Sequence, residues 1–223
     1  MDLYEVMRTT FAAREFQPGA IPDQALWKIL DNARFAPSGG NRQGWRVISV
    51  RAQADRDRLI EWMTPAAKRY FGQVARGENP WNTVNPTSLS AADIAVSDPK
   101  TGFLKALANA PTVLLVFVDL RVVASFDSEL DRVGVTSGAS IYPFVWNILL
   151  SARAAGYGGT LTTFITEQDA AVRRHFGVPD YMATCALLPM GKPVKQLTKL
   201  ARKPVQEIAW HDRWQGDEIA SPE

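Results

Sequence analysis

"IPDQALWKILDNARFAPSGGNRQGWRVISV", from Ile21 to Val50, changes character twice. Leu26, Ile29, Leu30 and Ala33 recur at helical intervals, with Pro22 near the start and Pro37 after the end, which predicts an amphipathic helix. "WRVISV", Trp45 to Val50, predicts a strand. Between them, Ala36 to Trp45 crowds Pro, Ser, two glycines, Asn and Gln into one connection. Residues that flexible or that polar are poor core material, and by itself such a loop reads as a surface turn.

Outward from this stretch, "ADRDRLIEWM" predicts a second helix. Thr64 to about Gly102 reads as irregular, because Pro65, Gly72, Gly77, Pro80, Pro86 and Pro99 interrupt it. Tyr70, Phe71 and Trp81 lie inside it, and such a stretch is either a lid over a binding site or a mobile insertion. "PTVLLVFVD", Pro111 to Asp119, predicts a buried strand. "SGASIYPFVWNILLSARAAG", Ser137 to Gly156, predicts a long central helix, apolar on nearly every side, with Pro143 in its first turns or at a kink and Gly156 at its end. "TEQDAAVRRHFG" predicts a helix opened by Thr166 and Asp169 in capping-box spacing and closed by Gly177. "MATCALLPMG" predicts a last core strand. The tail from Lys192 to Glu223 is polar yet carries Trp210 and Trp214, so packing on a partner subunit is its expected fate. Helices and strands alternate without a βαβ rhythm, which favours one α+β domain over residues 1–223.

Composition excludes several function classes. A net charge of +2 with no Lys/Arg-rich run leaves no footprint for nucleic acid. The single cysteine, Cys185, cannot form an internal disulfide, and neither a signal peptide nor an apolar run long enough for a bilayer is present, so a cytoplasmic protein is expected. His175 and His211 lie far apart in sequence, which leaves a zinc site hard to assemble; a helix-end and a surface or interface position suit them better. No G-x-S-x-G elbow and no Walker lysine occurs. "GYGGTL" fails as a dinucleotide loop, because Leu161 stands where the last Gly belongs and a helix precedes it.

What remains suits an anionic, hydrogen-bond-rich ligand: "RTTFAAREF", "PSGGN", "GGTLTTF" and "ARKP". In this order, together with "ASIYPFVWNILLSARAAGYGGTLTTF", "ALLPMGKP" and "RKPVQEI", these pieces resemble the nitroreductase superfamily of FMN-dependent oxidoreductases. The resemblance implies a three-layer α+β sandwich with a mixed sheet, an intertwined homodimer, and FMN shared between chains. It implies flavin contacts at Pro37, Ser38, Asn41 and Gln43 from the neighbouring subunit, at the turn Leu161, Thr162 and Thr163, and at Arg202 for the phosphate. Arg14 matches the family's first contact segment, while Thr10, Phe11 and Ala12 depart from its usual basic and Ser residues, which leaves backbone contacts there and gives Arg8 a compensating role. The implied activity is hydride transfer from NADPH or NADH through flavin to a nitroaromatic or quinone, under a lid bearing Tyr70, Phe71 and Trp81. The resemblance equally covers a reductive dehalogenase of iodotyrosine type, an oxygen-using enzyme that fragments flavin, and a non-catalytic flavin carrier.

Overall fold

A computed structural model describes residues 1–220. The apolar run becomes β2 (Thr112–Asp119), every residue of which is buried. It pairs antiparallel with β1 (Trp45–Ser49) on one side and β4 (Met182–Gly191) on the other, and the two-residue β3 (Gly158–Gly159) adds to β4, giving the order β1-β2-β4-β3. The ladder is antiparallel throughout. The mixed character is confined to one edge, where Ala12 bridges Gly159 in parallel.

Side chains of a strand alternate between faces, so β2 feeds two cores. Leu114 and Val116 pack with Ile29 and Ala33 of α2 (Asp23–Ala33) and with Val145 and Ile148 of α6 (Tyr142–Ala154). Val113, Leu115 and Phe117 face the other way, against Leu59 and Met63 of α3 (Gln53–Ala75), Leu104 of α5 (Thr101–Ala108) and Val172 of α7 (Asp169–His175). Each such burial contributes about 1.5–3 kcal/mol. The result is three layers, with α1 (Leu3–Thr9) against α6 and α4 (Ala91–Val96) against α3. No helix among the described residues is long and apolar enough to cross a membrane.

Three expectations need correction. The irregular stretch does not begin at Thr64, because α3 runs through Pro65 to Ala75. Leu59, Met63, Ala66 and Ala67 form one buried stripe at helical spacing, and that burial outweighs the N–H that Pro65 lacks. The central helix starts at Tyr142, after a 3₁₀ turn over Thr136–Ser140, which puts Pro143 in its first turn. Thr166 and Asp169 make no capping box: the Thr166 hydroxyl donates to the Thr163 carbonyl, while Asp169 accepts from Thr184 N–H and pairs with Arg173. Gly156 and Gly177 do end their helices, at φ of +83° and +66°.

The last core strand carries an irregularity. Register slips between Val116 and Phe117, so Cys185 has no opposite number on β2. Burial pushes its thiol up to about 12, which leaves it a packing residue rather than a nucleophile.

Candidate active site

A cavity of about 920 Å³ opens between α3, the start of α5 and the segment after β3. Why the chain turns there is read from Gly158 and Gly159. A Cβ on Gly159 would stand 2.8 Å from both the Pro189 carbonyl oxygen and Met190 Cγ, and one on Gly158 2.8 Å from Pro193 Cγ. The glycines thus serve close packing of the edge strand, not a dinucleotide phosphate.

Beyond them the backbone N–H groups alternate in their use. Thr160 N–H donates to Pro189 and Thr162 N–H to Leu187, at 3.2 and 3.0 Å. Leu161 and Thr163 N–H make no hydrogen bond among the described residues, while all four of these residues line the cavity. The Thr162 donor is spent on β4, so of the three residues of this turn Leu161 and Thr163 carry the open donors.

Arg14 reaches the same cavity because its segment lies alongside β3: Ala12 bridges Gly159, and Ala13 N–H donates to the Gly159 carbonyl at 3.0 Å. Its guanidinium stands 5.9 Å from the Phe103 ring centroid and donates to the Ala12 carbonyl at 3.3 Å, with no carboxylate partner among the described residues. The apolar wall is an edge-to-face cluster of Tyr70, Phe71, Phe103 and Phe164, with centroids 5.2–6.4 Å apart. Phe103 and Phe164 escaped the sequence reading, as did Lys100. The signal available was "SDPKTGF", where Asp98 accepts from the Lys100 N–H and ammonium and holds Lys100 at φ +54° before α5.

Trp81 does not line this cavity. It walls a neighbouring one of about 420 Å³, which shares Tyr70, Thr163 and Phe164 with the first. The loop that carries Trp81 is clasped by Glu78, whose carboxylate accepts from Thr87, Ser88 and Gln73. Those hydrogen bonds, the Ser88 hydroxyl's first, lower its pKa to about 2. A carboxylate so depressed contributes its stabilisation above its ordinary value of 4.5 and loses it only as pH falls toward 2, so the clasp holds at neutral pH.

The other sequence-derived residues are not gathered into this cavity by one chain. Thr10 is spent as a cap, with its N–H and hydroxyl both donating to Val6 O. Ala12 bridges Gly159, while the Phe11 carbonyl accepts from Ala13 N–H at 2.9 Å. Arg8 lines a separate hollow beside Tyr4 and Thr198 rather than this cavity. Pro37, Ser38, Asn41 and Gln43 stand elsewhere, in a self-bonded loop. Ser38 Oγ accepts from Gln43 N–H, Gln43 Nε2 donates to Asn41 Oδ1, and Gly39 N–H donates to Ser140 Oγ. Gln43 and Asn41 both take left-handed φ, near +50°. Arg202 is exposed and, among the described residues, bonds only the neighbouring Ala201 carbonyl.

Residues 7–192 match the model of the Nitroreductase family. The NADH dehydrogenase of Thermus thermophilus is 26% identical over 207 residues, covering 87% of this chain and 88% of its own. Among solved structures, the NADPH:FMN oxidoreductase of Vibrio harveyi complexed with NAD+ superposes with a TM-score of 0.67 at 17% identity, over 95% of this chain and 77% of that one. An iodotyrosine deiodinase bound to FMN and 3-iodo-L-tyrosine superposes with a TM-score of 0.63 at 22% identity, over 96% and 100% of the two chains. With the model matched across more than four-fifths of its length, this chain belongs to the Nitroreductase family.

Proposed function

We propose that this chain is an FMN-dependent oxidoreductase that takes hydride from NADPH or NADH and passes it to a nitroaromatic or quinone by a ping-pong mechanism. The observation that carries the reading is the pair of open backbone donors, Leu161 and Thr163, beside the unpaired Arg14 at an aromatic-walled cavity. This donor set fits a flavin: fixed N–H groups suit the polar edge of a planar ring, and a cation suits the charge it gains on reduction. A bound FMN supplies hydride acceptance and release at N5. The protein's part is then to hold a donor (Thr163 N–H) and a cation (Arg14) and to admit two reactants in turn to the space bounded by Tyr70, Phe71 and Phe103. Solvent supplies the proton, so no side chain is needed as a general acid.

The same reading calls for a homodimer with shared sites. The Pro37–Asn41 loop is tied to Ser140, before α6 begins, whereas Leu161–Thr163 follow its end. None of that loop's residues lines the cavity that Leu161–Thr163 face, so one chain does not bring the two elements together there. A second copy is the natural source of the other half. Tyr142 and Trp146 of α6, with Leu3 and Tyr4 of α1, leave an apolar face exposed for it.

Initial rates measured at several NADPH and acceptor concentrations are expected to give parallel lines in a double-reciprocal plot. Intersecting lines contradict alternating occupancy of one space. Arg14→Leu is expected to lower the two-electron potential, since the reduced form loses more than the oxidised form; a loss of about 1.4 kcal/mol corresponds to about 30 mV. Equilibration with a redox dye at full FMN occupancy measures this, and an unmoved potential removes Arg14 from the ring's surroundings.

A further inference from the structure

We propose that the 420 Å³ cavity behind Tyr70 is a second acceptor subsite, and that Tyr70 is the partition deciding which acceptors enter it. This rests on the oxidoreductase reading above. The two cavities share Tyr70, Thr163 and Phe164, so these three residues stand between them.

The two aromatic walls of the smaller cavity are held differently. Trp81 is fixed: its backbone N–H donates to Gln73 Oε1 at 3.0 Å, its indole N–H donates to the Ala66 carbonyl at 3.3 Å, and the Arg69 guanidinium lies 4.1 Å from its ring centroid. Gln73 is itself buried and bonded to Glu78, so the clasp extends to the backbone of Trp81. Tyr70 has no such anchor. It meets Phe71 and Phe164 edge-on at 5.2 Å, and its hydroxyl makes no hydrogen bond among the described residues. Aromatic edge contacts can be exchanged for contacts with an incoming ring, whereas hydrogen bonds to backbone cannot. Trp81 is therefore a rigid back wall and Tyr70 a movable screen.

The one charged side chain in the lining is Glu167, a carboxylate without an ion-pair partner among the described residues. The ligand class follows: an acceptor of two linked rings, with the reactive ring in the large cavity and a neutral or cationic ring beyond Tyr70. An anionic substituent on the second ring faces Glu167 and is disfavoured.

The test compares 1,4-benzoquinone with 2-phenyl-1,4-benzoquinone on the flavin-loaded protein, as a ratio of kcat/KM values, and measures biphenyl-4-ol against phenol by calorimetry on the oxidised protein. The wild type is expected to prefer the two-ring member of each pair by about tenfold or more, the scale at which one pocket contact discriminates. Tyr70→Ala is expected to raise the phenylquinone ratio further. Trp81→Ala, and Ala66→Met, which fills the cavity floor, are expected to abolish the preference, and a carboxylate on the second ring to reduce it. Equal binding of the two phenols, or ratios unmoved in all three variants, overturns the subsite. If NADPH fails to reduce the wild-type flavin, the oxidoreductase reading fails, while the calorimetric preference still decides the cavity's role. If Tyr70→Ala does not retain flavin, Ala66→Met carries the test.

Discussion

Arg202→Ala is expected to weaken FMN binding by about 1.5–3 kcal/mol, the range for hydrogen bonds to charged groups, or roughly 10- to 150-fold in Kd. The side chain is exposed and, among the described residues, holds only its neighbour's carbonyl, so removing it disturbs no packing among them. It lies in "RKPVQEI", a segment resembling the family's phosphate-binding piece, and a guanidinium fork on phosphate has no substitute in alanine. Flavin titration of the apoprotein measures the change. Unaltered affinity assigns Arg202 to solvent and leaves the phosphate to another group.

Removing the chain after Ile208 is expected to loosen the dimer and empty the flavin site together. Beyond Leu197, the hydrogen bonds and ion pairs of the described tail run only within the tail, such as His211 N–H to Asp217 and Lys203 to Glu207. Trp210 and Trp214 pack on each other at 5.0 Å, and Trp214 remains 79% exposed. A tryptophan buries about 150–250 Å², so at about 25 cal/mol per Å² docking Trp214 on a partner contributes on the order of 4 kcal/mol. Sizing chromatography with flavin absorbance reads both effects at once. A monomer retaining stoichiometric FMN contradicts the shared site.

The parts of the molecule legible in the sequence are those fixed by local pattern. A strand covered on both faces must be apolar at every position, and "TVLLVFV" announces β2 for that reason. The helix and strand flanking "PSGGN" followed from spacing alone. Pro65 misled because its cost is local, whereas the buried stripe of α3 that outweighs it depends on neighbours distant in sequence. The site was legible to the level of the segment and no further. "LTTF" names a segment that lines the cavity, yet which N–H stays open depends on the pairing of Thr162 with Leu187, a partner 25 positions on. Likewise nothing in the irregular stretch separates Tyr70 from Trp81, which the fold assigns to the shared wall and the far wall of two cavities.

Flavin reduction tests the central claim most directly. The purified protein is expected to show a yellow flavin band that NADPH or NADH bleaches within seconds in the absence of oxygen, and that a nitroaromatic or quinone then restores. A flavin that dithionite reduces but neither nucleotide does contradicts the nicotinamide-oxidoreductase account.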